Sequence, residues 1–248
     1  MYLSPTRVTL LTRLMTQLDD PAITAGREVR QRIGDDLLRL LEADYFASYA
    51  WDEAEGRFTD RTALHMSDGN LAAYEQYYQY RDPITHRLQQ RQVPTLVVEI
   101  MPQRELMRTE FFNDFLARDG LHHGVNLFAW DGAQNLGDLR IWRGRARERF
   151  DREALDLLRL LQPGFTGALR RLRQGRAVDT LAQRHPGLKG RALDIARCLC
   201  EGLPDKKIAA TLGIEYSTVR THVDGLFERF GVHSRTQMVQ RLLGGPLH

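Results

Sequence analysis

The chain has 248 residues, with 35 Lys and Arg against 32 Asp and Glu and a formal net charge of +3, a length that suits two domains each with its own core. No apolar run approaches the ~20 residues a membrane helix needs, and the opening Met1-Tyr2-Leu3-Ser4-Pro5 has no secretory apolar segment, so a cytoplasmic placement without a membrane partner is expected. The three lysines, Lys189, Lys206 and Lys207, exclude a P-loop, a lysine Schiff base and a kinase-type lysine from the first 188 residues.

Val8 to Leu18 and Val29 to Leu41 have the apolar spacing of amphipathic helices. Tyr45 to Trp51 and Arg57 to Met66 read as a strand pair joined by an acidic turn containing Gly56. Leu71 to Tyr80 is a tyrosine-rich helix ending before Asp82-Pro83. On it Tyr74 and Tyr78 share one face and Tyr77 and Tyr80 the other, so one pair faces a core or pocket. Pro94 to Ile100 reads as a short strand and Arg104 to Ala117 as a helix closed by Gly120. Val125 to Trp130 and Asp138 to Trp142 form a hairpin around Asp131-Gly132. Asp151 to Arg173 is the last long helix, with a break expected at Pro163-Gly164. Its Leu158, Leu161, Phe165, Leu169 and Leu172 either form a short coiled-coil seam between two copies or bury on the domain's own sheet. About five mostly antiparallel strands with helices around them predict an α+β domain, an αβα sandwich.

The last quarter has a different grammar. Val219, Val223, Leu226 and Phe230 form one apolar stripe at helical period, while Ser217, Arg220, Thr221 and Asp224 fall on the opposite side. A helix that packs by one face and offers short polar groups and an arginine on the other suits the edges of bases in a DNA groove. Ile208, Ala209 and Leu212 belong to the preceding helix, and Gly213 sits where that helix must stop in a left-handed conformation. The pair reads as a helix-turn-helix, and its ordinary alternative is an amphipathic helix pair with a solvated face. From residue 184 onward there are ten Lys and Arg and six Asp and Glu, net +4, against −1 for the rest. Positive charge thus collects where phosphates would bind. Arg170, Arg171, Arg173 and Arg176 extend it, or form a solvated helix end.

Leu188, Arg191, Glu201-Gly202, Lys206, Ile208-Ala209, Leu212-Gly213-Ile214, Thr218-Val219, Thr221-His222, Arg229, Gly231-Val232 and Ser234-Arg235 carry a resemblance to the LuxR-type (GerE-type) DNA-binding domain of bacterial transcriptional regulators. The resemblance implies an all-α four-helix domain whose third helix enters the major groove of double-stranded DNA and whose fourth, about Thr236 to Leu243, contacts a second copy. It implies a DNA-binding set of Lys206, Ser217, Thr218, Arg220, Thr221, His222, Asp224, Arg229 and Arg235, with Arg220, Thr221 and Asp224 on bases. The sequence departs from that family at Lys189-Gly190-Arg191-Ala192, at Pro204 (where Asp205 is expected to supply the capping oxygen) and at Glu215, a poor N-cap. Asp224 repels phosphates but accepts from cytosine N4, so a cytosine is expected beneath it. The lysine distribution also argues against a receiver domain upstream.

The upstream layout suits a small-molecule sensor of the PAS/GAF type. Asp82-Pro83-Ile84, Ala117, Gly120-Leu121, Gly124-Val125 and Gly137 also resemble the autoinducer-binding domain of quorum-sensing regulators. That family's ligand-binding Trp and Tyr fall here on Ala73 and Gly69, and its later Trp near Val97, which weakens an acyl-homoserine-lactone reading. Tyr74, Tyr78, Asp82 and Trp130 are the candidate ligand-binding residues. Asp82 alternatively initiates the turn before Pro83. Cys198 and Cys200 point apart on a helix and read as small apolar fillers. His122-His123 lacks any companion motif and reads as a loop leading into a strand. No catalytic residues, metal ligands or cofactors are assigned.

The expected organisation is a sensor-like domain over 1–175, a linker over 176–187 and a DNA-binding domain over 188–248. The functional expectation is a dimeric, non-enzymatic DNA-binding regulator controlled by a small molecule. Its alternatives are a ligand-independent regulator with a protein-interaction module, a heterodimer partner that has lost DNA binding, and an acyl-homoserine-lactone receptor.

Overall fold

A computed structural model describes residues 3–243, apart from the side chains of residues 175–180. It divides into two compact units, Met1–Leu172 and Arg173–His248. The expectations placed on Gly175 and the Arg176 side chain fall outside the described residues.

The first unit begins with α1 (Pro5–Asp19) and α2 (Gly26–Leu40). Ser4 caps α1 by accepting from Arg7 N–H at 3.3 Å, and Leu10, Leu14 and Leu18 form its buried stripe. A hairpin follows, β1 (Tyr45–Asp52) and β2 (Arg57–Leu64). Next come α3 (Asp68–Gln76), a 3-10 turn over Tyr78–Tyr80 and α4 (Thr85–Gln89). Then β3 (Thr95–Leu96) leads into the short helices α5 (Val97–Ile100) and α6 (Gln103–Leu106), a π-helical stretch over Phe111–Leu116, and α7 (Ala117–Asp119). The hairpin β4 (Leu121–Asp131) and β5 (Gln134–Gly144) precedes α8 (Arg152–Arg184).

All strand pairs are antiparallel, in the order β2-β1-β5-β4-β3. Side chains alternate across the sheet, and both faces are covered. Phe46, Val125, Leu127, Leu139 and Ile141 pack with Leu14, Leu37, Leu158 and Phe165 in one apolar cluster. Ala47, Tyr49, Phe128 and Trp142 pack with Tyr74, Phe111 and Phe115 in the other. This is the αβα sandwich expected from the pattern of elements.

Four local expectations are corrected. The apolar run Pro94 to Ile100 keeps only Thr95–Leu96 as strand and turns helical at Val97, because a short apolar run has no period that separates strand from buried helix. The helix expected over Arg104 to Ala117 is broken into α6, the π-helical stretch and α7. Thr109 ends the first piece by donating its hydroxyl to Leu106 O at 2.7 Å and accepting from Phe112 N–H at 3.1 Å, a local competitor of the helix ladder. His122 and His123 lie within β4 rather than before it.

Finally, α8 runs unbroken through Pro163. Pro163 is exposed, so the helix bond it removes falls on the solvent side, where water can satisfy the freed carbonyl. The seam residues Leu158, Leu161, Phe165 and Leu169 are buried in the first unit's own cluster, with Leu172 packed against it. Burial on the domain's own sheet is therefore the reading realised, and these side chains are not free to form a dimer seam.

The second unit comprises the end of α8 and α9 (Arg191–Cys200), α10 (Asp205–Leu212), α11 (Tyr216–Phe230) and α12 (Arg235–Leu243). Residues 176–184 of the expected linker are helical. Ile195, Leu199, Ile208, Val219, Val223, Leu226, Met238 and Leu242 form its core. Cys198 is buried there and Cys200 half-buried, both as free thiols. Burial raises both above the usual thiol range, Cys200 to about 11, so both stay protonated at neutral pH. Among the described residues no helix is long and apolar enough to cross a membrane.

Candidate functional site

The turn between α10 and α11 is built by Gly213. Its φ of 62° and ψ of 38° are left-handed, and its N–H closes on Ala209 O, as a helix terminator of this type requires. Ile214 N–H bonds the same carbonyl at 3.1 Å, and α11 starts two residues later. The helix therefore ends within one residue and reverses direction, leaving α10 and α11 as a helix-turn-helix.

Three of the four stripe residues of α11, Val219, Val223 and Leu226, are buried, and Phe230 is half-buried. Ser217, Thr218, Arg220, Thr221 and Asp224 are exposed and His222 is half-buried. Lys206 is exposed at the start of α10, and Arg229 is exposed near the end of α11. The polar face expected from the sequence is thus presented to solvent as one surface.

Several of these groups are already engaged. Arg220 lies 3.5 Å from Asp205 Oδ2 and 3.4 Å from Asp224 Oδ1. Thr221 donates to Ser217 O at 3.1 Å. Arg229 donates to Gly187 O at 2.9 Å. Half-buried Arg235 donates to Asp205 Oδ1 at 2.7 Å and, through Nη2, to Leu203 O. Asp205 does not cap α10, whose N-cap Pro204 has no side-chain bond. Its carboxylate is taken by the two arginines instead, which corrects the capping expectation. Glu215, the N-cap of α11, makes no side-chain cap either.

The first unit holds a cavity on the tyrosine-bearing face of its sheet. It is lined chiefly by Tyr49, Tyr74, Phe111, Phe115 and Trp142, with Asp82, Asn126 and Arg140 as its charged and amide groups. About 20 Å³ of it admits the centre of a water molecule, room for roughly one water. Tyr74 and Tyr78 are the buried pair and Tyr80 is exposed. Of the sequence candidates, Tyr74 and Asp82 line the cavity. Tyr78 and half-buried Trp130 belong to the same apolar cluster without lining it. Asp82 fulfils its turn-initiating role, accepting at Oδ1 from Ile84 N–H at 2.8 Å and Thr85 N–H at 3.0 Å.

The residues that sequence reasoning missed are Arg140, Asp138 and Asn126. Arg140 is buried among the rings of Tyr49, Phe58 and Tyr74, with its guanidinium 4.6, 4.4 and 5.0 Å from their centroids. Its Nε donates to Asp138 Oδ2 at 2.8 Å, and its Nη1 donates to the Tyr74 hydroxyl. Burial is the largest influence on Arg140 and opposes its charge, but Asp138, Tyr74, Tyr49 and Asp82 together outweigh it and keep the guanidinium protonated. Asp138 also accepts from Tyr49 N–H at 2.8 Å, just beyond the last β1–β5 pair, Ala47 opposite Arg140. Burial pushes the Asp138 carboxyl above its usual range, and Arg140 opposes that rise. Gly137 lets the strands meet there, for a side chain would fall 2.6 Å from Tyr49 O and its φ is +146°.

Residues 188–242 match the family described as "Bacterial regulatory proteins, luxR family" (GerE), so the helix-turn-helix segment is a LuxR-family domain. Transcriptional regulatory protein UhpA of Salmonella typhimurium is 35% identical over 69 residues, 28% of this chain and 35% of that protein. The match thus spans about a third of that relative. SdiA in complex with octanoyl-rac-glycerol is similar over 100% of both chains at 19% identity, with a TM-score of 0.50. The ligand-binding domain of VqsR from Pseudomonas aeruginosa covers 68% of this chain and 98% of its own, at 16% identity and a TM-score of 0.51. The GAF domain of a phosphoenolpyruvate-protein phosphotransferase from Coxiella burnetii covers 70% and 99%, at 12% identity and a TM-score of 0.54. At these identities the likeness is one of fold, and it agrees with the GAF-like sandwich read from the elements.

Proposed function

We propose that this chain is a dimeric transcriptional regulator that binds double-stranded DNA through α11 and whose first unit senses a small molecule. One observation carries the DNA-binding part: a LuxR-family helix-turn-helix that exposes Ser217, Thr218, Arg220, Thr221 and Asp224 on one surface. In this reading Arg220, Thr221 and Asp224 contact bases, and Lys206, Thr218 and His222 contact phosphates. Arg229 and Arg235 act as struts as well as charge donors. Two copies read half-sites about one helical turn, ~34 Å, apart, and the chain has no enzymatic role.

The sensing part rests on the aromatic cavity with its few polar groups, the usual composition of a small-molecule site. A ligand that binds one conformation of the first unit better than another shifts the population able to bind DNA. Gel-shift titration with DNA from upstream of the gene tests the reading. Wild-type protein should form a specific complex, and Arg220→Ala should lose it while retaining wild-type unfolding. Equal binding by the variant would end the assignment of α11 as the reading helix. Specific binding unaltered by any cell extract or small molecule would favour the ligand-independent alternative.

A further inference from the structure

The two terminal nitrogens of Arg220 meet two different carboxylates. Nη1 lies 3.5 Å from Asp205 Oδ2 on α10, and Nη2 lies 3.4 Å from Asp224 Oδ1, one turn further along α11. The two carboxylates are not equivalent. Asp224 stands in solvent on the same helix as Arg220, whereas the Asp205 side chain is 14% exposed and belongs to another helix. The second oxygen of Asp205, Oδ1, accepts from Arg235 Nη1 at 2.7 Å, and Arg235 is itself tied to Leu203 O. Asp205 also sits in the first turn of α10, where the helix dipole favours a negative charge. Asp205 is therefore held from three sides, and Arg220 leans on a fixed group.

The fold has little need of that second arginine. Arg235 and the helix start already satisfy the carboxylate, and a half-exposed ion pair at 3.5 Å adds little to stability. Its effect falls on Arg220. A free arginine side chain loses much rotamer freedom when it docks. One held between two carboxylates has given up part of that freedom before DNA arrives. The guanidinium has five N–H donors, so two ion pairs leave enough for a bidentate contact to guanine O6 and N7. A phosphate is treated differently. It would have to draw Arg220 away from two carboxylates and lie beside them, a like-charge contact. The neutral O6 and N7 of guanine meet no such repulsion. The charge of α11 points the same way, for Arg220 and Arg229 are balanced by Asp224 and Glu228.

We propose that Asp205 is a positioning residue for base reading: without touching DNA, it holds Arg220 in place and directs it to a guanine rather than to phosphate. This rests on the reading of α11 as the DNA-recognition helix and adds a residue on α10 that sets its specificity.

Selection of the full chain on a randomised DNA pool, then competition of the selected site against non-specific DNA, tests the proposal. Asp205→Asn is nearly isosteric and keeps an acceptor for Arg235. It should bind non-specific DNA more tightly. Its ratio of selected to non-specific binding should fall by about ten-fold, the worth of one bidentate base contact. The loss should be confined to the base position that Arg220→Ala also relaxes. On the Arg220→Ala background, Asp205→Asn should lower the ratio no further, a coupling that a purely structural role would not produce. Cys198→Ala, a trim of the second unit's buried core, should lose stability and keep the base preference. Far-ultraviolet circular dichroism confirms that each variant is folded. Relaxation of the Arg220 Nε–H signal in DNA-free wild type gives a reading that needs no variant. Its order parameter should lie above ~0.6, the limit for flexible groups.

Full base preference in Asp205→Asn overturns the inference. So does an equal loss on the Arg220→Ala background, or a mobile Arg220 in wild type. If wild type selects no sequence, or Arg220→Ala keeps the wild-type preference, the reading of α11 falls and takes the inference with it. If Arg220→Ala loses the preference and Asp205→Asn does not, the reading stands and only the role of Asp205 falls.

Discussion

Arg235 at the start of α12 donates to Asp205 at the start of α10, Nη1 to Oδ1 at 2.7 Å, and its Nη2 reaches Leu203 O. One guanidinium thus joins the fourth helix of the domain to the segment that positions the second. The Asp205 side chain is only 14% exposed, so removing the arginine leaves a largely desolvated carboxylate with Arg220, 3.5 Å away, as its ion-pair partner. Arg235→Ala should destabilise the second unit by about 1.5–3 kcal/mol, the range for hydrogen bonds to charged groups. Trp51, Trp130 and Trp142 all lie in the first unit. Thermal unfolding should therefore move in far-ultraviolet circular dichroism and stay fixed in tryptophan fluorescence. If instead only the salt dependence of DNA binding changes, Arg235 is a phosphate ligand and not a strut.

Base reading and phosphate binding should separate across the domain. Lys206→Ala should weaken all DNA sequences alike and reduce the salt slope by about one. Arg220→Ala should cost about 1–3 kcal/mol on the preferred site and relax one base position. Asp224 lies 3.4 Å from Arg220 and faces solvent. Asp224→Ala should tighten non-specific binding by removing a negative charge and should lose preference for cytosine beneath it. Selection from a randomised DNA pool measures both, and an unaltered base preference in Asp224→Ala would remove that residue from the reading set.

The legible parts of this chain were those with a period. The stripes of α1, α2 and α11 and the Gly213 turn follow from spacing alone. So does the pairing of Tyr74 with Tyr78, although which pair is buried is read from the structure. Arg140 was not legible. Asp138-Leu139-Arg140-Ile141 alternates polar and apolar as a half-exposed strand does, yet both faces of β5 are covered. The available signal was the tyrosine-rich segment upstream, which needs a sheet face to bury against and so places Arg140 inside. The helical turn at Val97 was hidden for a different reason: a short apolar run fits strand and helix equally.

Gly124 shows how tightly the cavity side of the sheet is packed. A Cβ there would lie 2.6 Å from Val97 Cγ2 and 2.8 Å from two atoms of the Trp142 indole. Neither neighbour can yield easily, because both are buried in the same apolar cluster. Gly124→Ala should cost about 1–3 kcal/mol through overpacking and alter the Trp142 emission. Tryptophan fluorescence during urea unfolding measures it, and a midpoint equal to wild type would mean that the cavity wall is compliant.

His122 and His123 on β4 give the first unit a pH dependence of defined sign. Their rings meet edge to face at 4.6 Å, and His122 also meets the Phe112 ring at 5.7 Å. Burial lowers both from the usual imidazole value; Arg145 adds to the effect at His122, and its neighbour His122 adds to it at His123. A depressed folded-state value means that the unfolded chain binds the protons more readily. Their contribution to stability is therefore complete above about pH 6.5 and is lost as pH falls through the folded values. Asp138, raised by burial, acts in the opposite direction, so the comparison must be with a variant and not with pH alone. The melting temperature read by tryptophan fluorescence should fall as pH drops below about 6.5, and more steeply in wild type than in His122→Gln/His123→Gln. A variant with the same slope as wild type would show that the two rings do not titrate between folded and unfolded states.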